Sequence, residues 1–274
     1  MDKTKIGFIG AGNMARALIG GLISSGVPAR NIYSHDPNSS RLQSLCHDSG
    51  STAADSNQHL LDSCDVVVLA VKPQAMRTVI SGLSLGQTVP LFISIAAGLR
   101  TTALCQWFGR EVPLVRAMPN TPALVRAGAT GLFANPAVSE DQRETAETIL
   151  RAIGITLWLD DESQLDAVTA LSGSGPAYFF YLMEAMEQAG KELGLDAEAA
   201  RLLTVQTAFG AAKLALEVEE EPKILRERVT SPGGTTEQAI THLDQHHARD
   251  TLVAAIKAAR DRSEQLAQQL EQSS

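Results

Sequence analysis

The sequence is poor in aromatic residues, cysteine and basic charge, and it has no long apolar run. Phe, Trp and Tyr make up 4% of the 274 residues. Large rings therefore contribute little to any core, and the abundance of Ala and Leu favours helices that pack through small side chains. The three cysteines, Cys46, Cys64 and Cys105, are an odd number without metal-type spacing. That argues against a disulfide framework or a metal cage and fits a reduced, cytoplasmic compartment. Lys and Arg number 23 against 31 Asp and Glu, a net charge of -8. With no basic stripe, nucleic acid is an unsuitable partner. No apolar run approaches the roughly 18 residues of a membrane span. The first predicted strand starts at about Lys5, which leaves no room for a signal peptide. No internal repeat or low-complexity segment is present, and Glu271 to Ser274 reads as a frayed tail.

What remains is an ordinary globular composition, 44% apolar and 20% charged, in a chain long enough for one large or two modest domains. The N-terminal part alternates between two patterns. Strands are predicted at 5–9, 31–34, 65–71, 90–95, 112–117, 131–134 and 155–159. Helical segments are predicted at 13–25, 39–49, 76–84, 101–108 and 140–152. The continuous apolar run 65–71 suits a strand buried on both faces. The alternation predicts a parallel, doubly wound α/β sheet. After about Asp161 no strand pattern is found, and helices are predicted at 164–171, 176–193, 196–217, 222–229, 235–245 and 247–271. The expected division is a dinucleotide-binding domain over 1–162 and an all-α domain over 163–274. The 196–217 segment is apolar around most of its circumference, so it must be buried. About a hundred residues cannot easily bury it alone, which points to a partner subunit.

Gly10, Ala11, Gly12, Asn13, Met14 and Ala15 match G-x-G-x-x-G/A between a predicted strand and a predicted helix. Gly10 would make the turn, Gly12 would let a pyrophosphate approach the backbone, and the helix N-terminus would present N–H groups to it. Asp36 lies where an acid binds the ribose hydroxyls of NAD. Ser34, His35, Asn38, Ser39 and Arg41 offer an alternative environment, for a 2′-phosphate. Asp36 could equally start the turn before Pro37. Ala70, Val71, Lys72 and Pro73 close the third strand of the predicted series. Ala96, Ala97 and Gly98 close the next, and Met118 and Asn120 lie after the strand that follows. All are placed where open α/β sheets bind ligands. Asn120 and Thr121 suit either a nicotinamide amide or the capping of the next turn. Two further turns lead into helices: Leu171 to Ala177 (LSGSGPA) and Ser231 to Gln238 (SPGGTTEQ). Each suits a capped helix start or a small anion such as a carboxylate.

The series GFIGAGNM, AVKP, SIAAG, RAMPNTPA, SGSGPAY and SPGGTT, in that order from about residue 5 to 265, resembles pyrroline-5-carboxylate reductase. The resemblance implies a Rossmann-type domain, a helical dimerisation domain, and assembly as dimers or rings of dimers. It also implies reduction of a cyclic imine, 1-pyrroline-5-carboxylate, to L-proline by hydride transfer from NAD(P)H. Carried over by motif, Ser231, Gly233, Gly234, Thr235 and Thr236 form the substrate loop. Backbone N–H groups there take the carboxylate, and the Thr236 hydroxyl meets the ring nitrogen as the catalytic group. Ser174, Gly175 and Pro176 face the same pocket, and Asn57 contacts the cofactor. NADPH is the commoner family cofactor and NADH the alternative; Asp36 departs from the small polar residue of some NADPH users. A β-hydroxyacid-type dehydrogenase would need a lysine on the helix after SGSGPAY, where only Lys191, near the far end, is found. A nucleotide-sensing scaffold would have no use for a complete substrate loop.

Overall fold

The computed structural model describes residues 3–272. Its eight strands are β1 (Ile6–Ile9), β2 (Ile32–His35), β3 (Thr52–Ala53), β4 (Val66–Leu69), β5 (Leu91–Ser94), β6 (Leu114–Met118), β7 (Gly128–Ala134) and β8 (Gly154–Trp158). They form one sheet in the order β3-β2-β1-β4-β5-β6-β7-β8. Helices α1 (Asn13–Ser24), α2 (Ser39–Ser49), α3 (Asn57–Ser63), α4 (Pro73–Ser81), α5 (Thr101–Phe108) and α6 (Glu140–Arg151) alternate with the strands. Every residue of β1 and β4 is buried. Ile6, Phe8, Val66 and Val68 enter one apolar cluster, while Ile9, Val67 and Leu69 enter another. That two-sided burial is why these strands read as unbroken apolar runs. The Cys64 thiol lies in the second cluster, where burial, aided by the Asp65 charge, pushes it up to about 12. It is a packing group.

One pairing departs from the all-parallel expectation. β7 runs antiparallel to β6, and β8 runs parallel to β7. The link between β6 and β7 holds only a 3-10 turn, Thr121–Val125. A parallel return needs a crossover of about a dozen residues or more, so the chain can only double back. The two-residue β3 is too short to carry any periodicity.

By contacts the chain divides into two compact units. One is the chain up to Ser174 together with the segment from Ala259 onward; the other is Gly175–Ala258. The helices after the sheet are α7 (Gln164–Val168), α8 (Gly175–Glu192), α9 (Ala197–Glu217), α10 (Pro222–Arg228), α11 (Thr235–Gln245) and α12 (Ala248–Gln272). The helix expected over 164–171 ends its α-helical part at Val168 and continues as a π-helical turn, Thr169–Gly173. Of the expected frayed tail, Glu271 and Gln272 are helical and Ser273 and Ser274 lie outside the described residues. Among the described residues no helix is long and apolar enough to cross a membrane.

The Gly175–Ala258 unit hardly has an interior. Only Gly175, Ala200 and Thr204 are buried in it. Phe179, Phe180, Leu203 and Phe209 are all more than half exposed. A single chain leaves this apolar surface to water, far beyond what scattered surface leucines would explain. Self-association is the remedy.

Candidate active site

The first unit gathers the loops at the carboxyl ends of its parallel strands. The β1–α1 turn, the β2 end, the α3 start, and the ends of β4, β5 and β6 carry Gly10 to Met14, His35 and Asp36, Asn57, Ala70 to Pro73, Ala96 to Gly98, and Met118 to Asn120. β1 lies between β2 and β4, where the strand order reverses, so these loops flank the switch-point crevice. Gly10 has φ +107, and a Cβ there would lie 2.6 Å from the Ala70 carbonyl oxygen. Its N–H donates to the His35 carbonyl at 2.8 Å, so three strand ends meet at this residue. Gly12 is different: a Cβ there would meet nothing within 4 Å. Packing does not require glycine at 12, but a phosphate lying against the backbone would. Gly12 also starts α1 without a side-chain cap, leaving the first-turn N–H groups to a ligand.

The bonds of Asp36 bear on the two roles expected of it, ribose ligand and start of the turn before Pro37. It is 7% exposed; one carboxylate oxygen accepts the Ala11 N–H and the other the Asn38 N–H, both at 2.9 Å. The carboxylate thus starts the turn before α2 and also holds the glycine loop. Arg41, half exposed, approaches it at 3.5 Å. Ser34 is fully buried with its Oγ unpartnered, so it offers a nucleotide no surface. His35 Nδ1 and Asn57 Oδ1 lie 2.7 Å apart, joining two of the candidate cofactor residues.

Asn120 is also engaged by the protein. Its Oδ1 accepts the Ala129 N–H and its Nδ2 donates to the Ser172 carbonyl, both at 3.0 Å. It does not cap the turn that follows it. Ser174, at the end of the π-helical segment, lines a cavity of about 480 Å³ together with Pro73, Ala97 and Gly98. The opposite wall is the C-terminal half of α12, with Arg262, Ser263 and Leu266. Ser263 Oγ donates to Asp166 at 2.7 Å, both residues being buried, which fixes that half of the helix to α7. Nothing in the sequence singled out α12, since an amphipathic helix with scattered charges looks the same wherever it packs.

In the second unit the SPGGTT segment leads into α11. Its N-cap is Gly234, with no side-chain cap, so neither Thr235 nor Thr236 closes the helix; both lie in its first turn. The Gly234 N–H bonds Ser231 O at 3.0 Å, and the Gly233 N–H bonds the Glu237 carboxylate at 2.7 Å. The two glycine N–H groups are therefore used inside the loop. The anion-binding capacity shifts to the uncapped first turn at Thr235 and Thr236. Gly175 and Pro176 start α8, Pro176 at its second position. Among the described residues no group of three or more His, Cys, Asp or Glu is placed to hold a metal ion.

A relative from Pseudomonas aeruginosa, named pyrroline-5-carboxylate reductase, is 51% identical over 99% of this chain and 100% of its own length. The chain belongs to the pyrroline-5-carboxylate reductase family. Residues 162–266 match the family model described as pyrroline-5-carboxylate reductase dimerisation, and 5–98 match that of NADP oxidoreductase, coenzyme F420-dependent. The solved reductase from Coxiella burnetii is 46% identical, with TM-score 0.91, covering 96% of this chain and 98% of that one. The Plasmodium falciparum reductase, solved with NADP bound, is 29% identical, with TM-score 0.87, covering 97% of this chain and 99% of that one. The reductase family is thus a dinucleotide-type sheet followed by a self-associating helical domain, and this chain has both.

Proposed function

We propose that this protein reduces 1-pyrroline-5-carboxylate to L-proline with NAD(P)H, the last step of proline biosynthesis. Full-length similarity to reductases of that name, at up to 51% identity among those compared, carries the proposal. Residues 1–162 serve as the dinucleotide part and 163–274 as the dimerisation and substrate part. The cofactor supplies the hydride; the protein binds, orients and excludes water.

Gly10, Ala11, Gly12, Asn13 and Met14 hold the pyrophosphate. The loops at Ala70 to Pro73, Ala96 to Gly98 and Met118 wall the nicotinamide, and His35 with Asn57 meets the adenosine side. NADPH is the favoured cofactor, with NADH as the alternative. Asp36 is 7% exposed and each of its oxygens already accepts a backbone N–H, which makes it a buried, partly used acceptor for ribose hydroxyls, whereas Arg41 stands half exposed beside it. Arg41→Ala should lower kcat/KM for NADPH about tenfold, as expected for a lost charge-assisted contact. The value for NADH should barely change. Equal losses with both cofactors would remove Arg41 from the 2′-phosphate.

The substrate carboxylate sits at the uncapped start of α11; Ser231, Gly233, Gly234, Thr235 and Thr236 form its loop, and Ser174, Gly175 and Pro176 are further substrate-binding residues. The imine is most electrophilic when protonated, and a hydroxyl at its nitrogen is enough to orient it. Thr236 has that role and relays the proton. Thr236→Val should lower kcat/KM for the imine about 10- to 100-fold, the cost of a hydrogen bond to a charged group, while the NADPH Kd stays at the wild-type value. Unchanged steady-state kinetics would sink the Thr236 assignment. The assembly is a dimer or a ring of dimers in the cytoplasm, in keeping with three free cysteines.

A further inference from the structure

We propose that Asn120 is a positioning residue for the Ser174–Pro176 substrate segment. The proposal rests on the substrate role assigned to that segment above. In an α-helix the N–H of residue 176 would donate to the carbonyl of Ser172, four residues earlier. Residue 176 is proline and has no N–H. The Ser172 carbonyl therefore loses its helical donor at the point where the chain has passed through the π-helical turn Thr169–Gly173.

Side chains within the turn do not make up the loss. The hydroxyls of Thr169 and Ser172 donate to Leu165 O and Val168 O, at 2.8 and 3.1 Å. The donor comes instead from the sheet: Asn120 Nδ2 reaches Ser172 O at 3.0 Å. Its other amide atom is held by the Ala129 N–H, and Asn120 is 9% exposed, so the side chain is locked at both ends. A second contact comes from the same strand end. A Cβ at Gly173 would lie 2.6 Å from the Met118 methyl, so Met118 packs directly on the turn. The β6 end thus fixes the backbone that delivers Ser174, one bond through Asn120 and one packing contact through Met118. One donor and one acceptor of the Asn120 amide are thus committed to the protein, which holds its side chain in place.

The test uses the full-length enzyme and compares Asn120→Ala in the wild-type and Pro176→Ala backgrounds. Asn120→Asp, isosteric and still an acceptor for the Ala129 N–H, serves where Asn120→Ala does not fold. In the wild-type background kcat/KM for 1-pyrroline-5-carboxylate should fall about tenfold, the scale of a buried acceptor left unpaired. The NADPH Kd, from nucleotide fluorescence, should stay within about twofold. Pro176→Ala returns an N–H to position 176, so in that background removing the Asn120 donor should cost no more than about twofold. An equal loss in both backgrounds overturns the proposal, as does an NADPH Kd that rises in step with the loss. Turnover by the wild-type protein tests the substrate assignment separately: absence of turnover rejects that assignment before any variant is compared.

Discussion

Gly12→Val is expected to abolish nucleotide binding and leave the fold intact. A Cβ at Gly12 meets nothing within 4 Å, and the residue sits at φ -73, which any L-amino acid adopts. The melting temperature should therefore stay within about 4 °C of wild type, the equivalent of about 1 kcal/mol in a chain of this size. The valine side chain instead fills the space in front of the α1 N-terminus, where backbone and pyrophosphate must touch. The NADPH Kd should rise at least about 100-fold, and activity should fall with it. Gly10→Ala should behave in the opposite order. Its φ of +107 and the 2.6 Å approach to Ala70 O put strain into the fold itself, so Tm drops before affinity is considered. Retained NADPH affinity in Gly12→Val, read by fluorescence titration, would contradict the assignment of this loop.

The second large effect is expected in the helical unit. Phe209 on α9 is 60% exposed and Leu203 56% exposed in the single chain. If a lone chain were the working form, Phe209→Glu and Leu203→Glu would be nearly silent surface changes. The Gly175–Ala258 unit has almost no interior of its own, and self-association covers this surface. A carboxylate placed there is then desolvated without a partner, at a cost of several kcal/mol. Light scattering coupled to gel filtration should show the variants shifting from an oligomer to a monomer. Turnover should fall more than about 100-fold. A variant that keeps both the wild-type oligomer and its activity would show that α9 lies outside the interface.

The elements that were legible in the sequence are those whose signal is local. The glycine fingerprint, the apolar strands β1 and β4, and the helices α9 and α11 each advertise themselves within a short window. The unusually apolar α9 even announced that it needed a partner. The antiparallel β7 was not legible, because strand direction depends on how far the chain travels between strands. The fate of Asp36 was not legible either: ribose contact, turn and loop anchor all call for an acid at that position. Only the fold brings the Ala11 and Asn38 N–H groups onto it.

The SPGGTT loop illustrates the same division. Sequence marked it as a place for an anion, and glycine N–H groups were the expected donors. In the fold those N–H groups are consumed by Ser231 and Glu237, and the uncapped donors are those of the next two residues, Thr235 and Thr236, in the first turn of α11. Sequence by itself determined the two-part architecture, the glycine-rich turn between β1 and α1 and the family, because covalent order and residue type set local geometry and motif spacing. Tertiary structure alone decided which polar groups remain free. Asn120 and Ser172 stand 52 residues apart, as Asp166 and Ser263 stand 97 apart. A hydrogen bond belongs to whichever groups the fold brings within about 3 Å, and residue type does not encode that distance.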